Sequence, residues 1–408
     1  MMNYYCTPEF FAANRRELRR QLPSGALCVI PSAGLLQRTG DTSFPFVQDS
    51  NFWYLTGSNH PDMVLVISPI EEYIITATRS VSRQTFDGSI DFDEVRQATG
   101  GVHVFTAHEG WQRLKAELHT YSSTLYAPSV SPAYSKAHGM FTNPHRRKVI
   151  EKCRRLISGA PISSCTPQLT AMRAVKQPAE LQALQAAITM TTTAIDQVRE
   201  HFLELHYEYE VEALLSKAFR TGGEGHGFAP IIANGKQATT LHYTENNGPL
   251  LRNTLTVIDV GASVEHYSAD VTRTIARGTP TPRQMAIHQA VLEVQQFAMS
   301  ELRVGTLLRD YEAAVRGLMA KKLLQLGLLT SVAQTDLVDK YYPHATSHFL
   351  GLDVHDVGDY SAPLTENMVL TCEPGIYIPE EGIGVRIEDD VVITKHGSRV
   401  FSECTVAL

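Results

Sequence analysis

Twice along this chain an acid sits inside a run of residues that should form a buried strand. In "TVIDVGA", residues 256–262, Thr256, Val257 and Ile258 lead into Asp259, and in "LTCEPGI", residues 370–376, Glu373 ends an apolar run just before Pro374 and Gly375. Each is followed by a further strand-like stretch with a second acid, Asp270 after the first and Glu388 after the second. An ionised carboxylate in a dry interior costs several kcal/mol, so such acids need protons or positive charge. Upstream of each pair the pattern also repeats: helical stretches at about 178–202 and 207–220 precede the first, and at about 282–299 and 306–326 the second, with spacings of three and four as the guide. In the first helix Pro178 suits the first turn, and Leu181, Leu184, Ile188, Ile195, Val198 and Phe202 form one stripe. Two helices followed by acid-bearing strands, twice over, suggest an internal duplication whose halves bring four acids together.

Arg386, two residues before Glu388 and on the same strand face, supplies one positive charge but does not balance four acids. A pair of divalent ions does, and oxygen ligands with one imidazole suit Mn, Co, Fe or Zn. The imidazole is sought in "YYPHATSHFLGLDVHDVG", which contains His344, His348 and His355. His344 and His348 are four apart, but "ATS" between them lacks the glutamate of H-E-x-x-H, so that motif is absent. Gly351 and the alternation in "LDVHDV" predict an extended stretch with Asp353 and His355 on one face. Taken singly, each residue has a plainer reading. A histidine is more often a hydrogen-bonded structural group, Asp259 an N-cap or turn acid, and Glu373 the close of a turn. Asp270 and Glu388 read singly as surface ion pairs with Arg273 and Arg386, which are weak and common. Five such coincidences are less economical than one shared site.

Residues 8 to about 157 alternate helical and strand patterns: a helix at Arg15 to Leu22, then strands in "ALCVI", "MVLVI", "YIITAT" and "VHVFTA". "SGAPISSCTPQ", 158–168, is the linker candidate. At 408 residues, of which 43% are hydrophobic and 19% charged, the chain is read as two α/β (α+β) domains, 1–165 and 166–408. Strands are also expected in "HGFAPIIAN", "TLHYT", "LGLDVHDV", "NMVLTCEPGIYI" and "GIGVRIEDDVVI". A net charge of −7 without a long basic run argues against nucleic acid and anionic lipid as partners. No apolar run approaches the ~18 residues of a membrane span, and nothing at the start reads as a secretory signal, so a cytoplasmic location is expected. The six cysteines lack C-x-x-C spacing, which argues for reduced thiols and against a zinc-thiolate site.

At these residues the chain resembles metallopeptidases of the pita-bread fold, specifically the Xaa-Pro aminopeptidase (aminopeptidase P) group of family M24. The matching blocks are "TLHYTEN", "DVGASVEHYSADVTRT", "SHFLGLDVHDVG", "MVLTCEPGIYI" and "GIGVRIED", and the N-terminal "RRELRRQLPSGALCVIPSAG" and "RTGDTSFPFVQDSNFWYLTG" resemble the group's non-catalytic domain. The resemblance implies a C-terminal pita-bread domain that cleaves the bond before a second-position proline, with two divalent ions, Mn2+ first and Co2+ or Zn2+ as alternatives. It implies that Asp259 binds one ion, Asp270 and Glu388 bridge both, and His348 and Glu373 complete the second. His355 would donate to the scissile carbonyl or its oxyanion, Glu373 relay a proton, His242 and His344 line the site near the proline, with His242 counted among the catalytic groups, and Arg386 hold substrate or orient the carboxylates. Peptides with proline second are the implied partners, and a homo-oligomer, dimer or tetramer, the implied assembly. Two ions about 3.5 to 4 Å apart bring the pKa of a shared water from 15.7 towards ~7 and stabilise a tetrahedral oxyanion.

Ala345 and Thr346 stand where the group commonly has glycine soon after the first histidine of its block. The stretch "DYSAPLTEN" is short, lacks an arginine often found there, and has Asn367 where glycine is usual. These departures touch the rim of the site and bear on peptide length. Two alternatives remain open in the sequence: a prolidase restricted to Xaa-Pro dipeptides, and a non-catalytic peptide-binding protein that retains the fold.

Overall fold

Short apolar runs of the N-terminal part assemble into one six-stranded sheet in the order His103–Phe105, Glu72–Ile75, Val64–Ile67, Leu27–Pro31, Leu125–Ala127, Ile162–Ser164. Leu27–Pro31 pairs antiparallel with Val64–Ile67 and parallel with Leu125–Ala127. Every residue of Leu27–Pro31 is buried, as expected for a central strand covered on both faces. Leu114 and Leu118 of helix Ala107–Tyr121 and Val149, Ile150 and Cys153 of helix Pro144–Leu156 share its core. Helix Pro8–Gln21 starts seven residues before the expected Arg15, because Pro8 at its first turn is a permitted opening. Its Arg15 is buried and donates to Glu72 at 2.6 Å and to the carbonyls of Leu55 and Thr99, both at 2.7 Å.

The computed structural model describes residues 5–77, 80–121, 124–129, 135, 139–156 and 161–408, which form two compact units, Met1–Ala171 and Met172–Leu408. The second unit contains two helix pairs. Pro178–His201 and Glu208–Gly222 precede the antiparallel sheet Ile231–Asn234, Leu255–Val260, Val271–Ala276. Pro282–Glu301 and Leu308–Gln325 precede Val369–Cys372, Asp389–Thr394, Gly397–Val400 and the hairpin Gly375–Ile378 with Ile383–Arg386. The expected stripe of the first helix is buried at Leu184, Ile188, Ile195, Val198 and Phe202, the last three packing with Val211, Leu215 and Phe219 of its partner, while Leu181 is half-buried.

Three local expectations are corrected, and one of the plainer alternatives does not form. "TLHYT" is no strand: a 3-10 turn, Gly235–Thr239, ends there and the chain runs on irregularly. "LGLDVHDV" is a bent segment, because Asp353 and Asp356 both turn to Arg173 and break the alternation. Residues 158–160 of the linker candidate lie outside the described residues, and the rest of it holds strand Ile162–Ser164 and the start of helix Thr166–Ala174. Arg273 bonds Asp389 at 2.6 Å rather than Asp270.

Candidate metal centre

Asp259 is carried by the central strand Leu255–Val260, opposite Ile231 on one neighbour and Thr272 on the other. Gly261 follows two residues later, and a Cβ there would lie 1.7 Å from the Ala269 carbonyl oxygen. Only a glycine lets the chain pass this close to residue 269, next to Asp270. The two halves are tied at this level. Glu388 donates its backbone N–H to the Thr272 carbonyl at 3.1 Å and accepts from Thr272 Oγ1 at 2.6 Å, and Thr274 Oγ1 donates to the Arg386 carbonyl at 2.8 Å. Side chains from segments more than a hundred residues apart therefore meet in a buried centre.

A ligand atom from each of Asp270, His348 and Glu388 lies within 4.8 Å of the other two. His348 Nε2 is 3.4 Å from Asp270 Oδ2 and 3.5 Å from Glu373 Oε1. Its Nδ1 is 3.0 Å from the Phe349 carbonyl; donation there leaves Nε2 with its lone pair facing the acids, as a metal ligand requires. Asp259 Oδ2 accepts from Arg386 Nη2 at 2.5 Å, whereas its Oδ1 is buried without a hydrogen-bond partner. Arg386 Nη1 donates to the Tyr377 hydroxyl at 2.9 Å, and that hydroxyl is 2.8 Å from His344 Nε2. His344 Nδ1 lies 2.8 Å from the Ala345 carbonyl and 3.7 Å from Glu373 Oε2. The His355 ring packs edge-on against His348, centroids 4.3 Å apart. His242 is exposed; its charge opposes protonation of His344 and His355, but among the described residues no hydrogen bond ties it to the cluster.

The electrostatics follow from crowding acids in a dry place. Burial, then the charges of Asp259, Asp390 and Glu373, pushes the Asp270 carboxyl far above the usual range. Burial, then Asp270, Glu373 and Asp259, does the same to Glu388. Burial pushes Glu373 up to about 7 although His348 and Arg386 oppose it. Burial, aided by Arg386, lowers His344 to about 4, and burial with His348 lowers His355 to about 4. Arg386 is one cation against four acids, so the centre holds protons or takes up further positive charge.

Four supporting groups escape a reading of the sequence. Tyr377, on the separate strand Gly375–Ile378, links Arg386 to His344. Asp390 accepts the Asp270 backbone N–H at 3.0 Å. Glu312 accepts from the N–H groups of Thr346 and Ser347 and from Thr346 Oγ1, the last at 2.8 Å, and so clamps the loop between His344 and His348. Thr272 bonds Glu388 as described. For the last three the partner lies 34 to 120 residues away, and no local pattern announces it.

Residues 182–395 match the model of metallopeptidase family M24, and residues 11–132 that of the aminopeptidase P N-terminal domain. The chain is 30% identical to the Xaa-Pro aminopeptidase of Escherichia coli (strain K12), over 97% of this chain and 95% of that protein. It is 29% identical to Xaa-Pro aminopeptidase 3 of Homo sapiens, over 95% of this chain and 80% of that one. Among solved structures, the low-pH form of E. coli aminopeptidase P superposes with a TM-score of 0.86 at 29% identity, covering 98% of this chain and 96% of that chain. The zinc-substituted form of the same enzyme in complex with product gives 0.84 at 29% identity with the same coverage.

Proposed function

The chain belongs to the aminopeptidase P group of metallopeptidase family M24, and we propose that it is an Xaa-Pro aminopeptidase that releases the N-terminal residue ahead of a penultimate proline. The observation that carries the reading is the buried convergence of Asp270, His348 and Glu388, flanked by Asp259 and Glu373. This donor set fits hard or borderline divalent ions, being oxygen-rich with one imidazole and no thiolate. The unpartnered Asp259 Oδ1 is a buried acceptor waiting for a cation. In the proposal Asp259, Asp270, His348, Glu373 and Glu388 hold two ions, manganese first and cobalt or zinc as alternatives. Bound there, the ions would activate a water and polarise the scissile carbonyl.

The chain's own residues do the rest. Arg386 keeps Asp259 oriented and is itself held by Tyr377. His355 presents an exposed ring beside His348 and donates to the carbonyl oxygen of the scissile bond. His344, neutral because of burial, and the exposed His242 line the approach for the proline ring. Glu373, whose carboxyl burial brings to about 7, is assigned a proton-relay role beside its ligand role. A proline nitrogen carries no hydrogen and its φ is fixed, so an Xaa-Pro bond cannot enter the extended, hydrogen-bonded pose that ordinary peptidases impose. The N-terminal unit, with the cut at 165/166, is assigned a non-catalytic role, and cytoplasmic homo-oligomers belong to the same proposal. Among the described residues no helix is long and apolar enough to cross a membrane.

The test is turnover of an Xaa-Pro-Yaa tripeptide beside an Xaa-Pro dipeptide, with manganese and with chelator. Metal-dependent cleavage of the tripeptide is expected, and loss of it in Asp259→Ala and His348→Ala. Turnover of the dipeptide alone would establish a prolidase instead, and a folded, metal-supplied protein that holds no divalent ion would establish a peptide-binding module.

A further inference from the structure

Behind the His355 loop lies a second charged cluster, and it is as dry as the first. Lys176 and Arg173 are fully buried, yet Lys176 Nζ donates to Asp356 Oδ2 at 3.0 Å and Arg173 Nη2 to Asp356 Oδ1 at 2.5 Å. Arg173 Nη2 also reaches Asp353 Oδ2 at 2.7 Å, and that carboxylate is half-exposed. Asp356 is the residue after His355. Its backbone N–H donates to the Phe349 carbonyl at 2.8 Å, so the loop closes on itself around the acid. A Cβ at Gly351 would stand 2.1 Å from Asp356 Oδ2, which leaves glycine alone compatible with the acid in this place.

The same short stretch grips two more site-bearing segments. Val175 bridges Met368, and Lys176 donates its N–H to the Asn367 carbonyl at 2.9 Å, at the start of the strand that leads to Glu373. Glu180 accepts from the Tyr267 hydroxyl at 2.9 Å, three residues before Asp270, and Ser268 donates its N–H to the Gly351 carbonyl at 2.9 Å. Residues 173–180 therefore anchor the segments of His355, Glu373 and Asp270 at once. A buried ion pair is a poor way to gain stability, since apolar residues of equal volume do as well or better, but it selects one geometry, because each ion left alone is strongly unfavourable.

We infer that Arg173 and Lys176 are positioning residues for His355, which fix its loop against the metal centre through Asp356. The inference rests on the role given to His355 under the proposed function. Lys176→Met is expected to lower kcat on the Xaa-Pro-Yaa tripeptide by about tenfold or more, the loss that a small displacement of a reacting group brings. In a His355→Ala background the same change should cost less than about twofold, because a residue acting through another is not additive with it. Amide exchange of residues 351–357 in the full chain should quicken about tenfold in Lys176→Met, the response of a locally loosened segment, and Lys176→Arg should restore both readouts. If Lys176→Met does not fold, Asp353→Asn, at the half-exposed acid, is the second variant, expected to give smaller changes of the same sign. Equal losses in both backgrounds, or unchanged exchange at 351–357, would overturn the inference. Should wild-type protein cleave no Xaa-Pro peptide, the functional reading fails, and the exchange arm still decides whether the cluster holds the loop.

Discussion

Replacing Glu373 by glutamine should abolish the proposed activity and yet stabilise the metal-free protein. In the fold this carboxyl is moved from its ordinary 4.5 to about 7, chiefly by burial. A carboxyl whose pKa is raised by folding binds more protons in the native state, so stability falls as pH climbs from about 4.5 to about 7 and stays lowered above that. At 1.36 kcal/mol for each tenfold change in proton affinity, the cost of ionising it is about 3 kcal/mol at pH 8 and under about 1 kcal/mol at pH 5. Glutamine keeps the shape without the charge. The lowered histidines nearby act with the opposite sign between about 4 and 6.5, so the comparison at pH 8, above that range, isolates the carboxyl. For a domain of this size about 3 kcal/mol corresponds to about 6–12 °C in Tm, somewhat less where the amide loses a hydrogen bond. Melting by calorimetry in chelator at pH 5 and pH 8 measures it. Added manganese should narrow the gap at pH 8, since wild type gains about 2.7 kcal/mol at a hundredfold excess over Kd and the variant, lacking a proposed ligand, gains less. A variant that melts below wild type at pH 8 in chelator, or that gains equally at both pH values, would refute a centre strained by its own charge.

Other consequences are simpler to state. Arg386→Met strands the buried Asp259 without its partner, so the metal-free protein should lose about 3–5 kcal/mol in urea unfolding, and activity should vanish with it. Gly261→Ala drives a methyl into the Ala269 carbonyl; little folded protein is expected, visible as lost near-UV circular dichroism. Leu184→Ala, at a wholly buried side chain, should cost about 2–5 kcal/mol while leaving KM for the tripeptide unchanged, a control for changes that act through stability alone.

Much of the second unit is readable along the chain because its signals are local. A stripe at spacings of three and four marks Pro178–His201, and Pro178 and Pro282 both sit at a first turn. The strands around Asp259 and Glu373 read clearly because branched and apolar residues run up to each acid. Where the reading failed, a charge had captured the backbone. "LDVHDV" alternates as a strand should, but Arg173, some 180 residues away, takes both of its aspartates and bends it. The plainer alternative for Asp270, an ion pair with Arg273 three residues on, does not form either, because strand pairing sends that guanidinium to Asp389 and the Glu388 carbonyl.

An acid in an apolar strand carries its own energetic cost wherever the chain goes, which is why residue order was enough to single out Asp259, Asp270, Glu373 and Glu388 and to call for protons or positive charge among them. Which donors face inward, which arginine holds Asp259, and how Tyr377, Asp390, Glu312 and Lys176 brace the centre were settled only when the two halves packed. Those bonds join positions tens to nearly two hundred residues apart, and their partners are selected by distance in space, a quantity that burial of the whole core decides and that no neighbouring residue encodes.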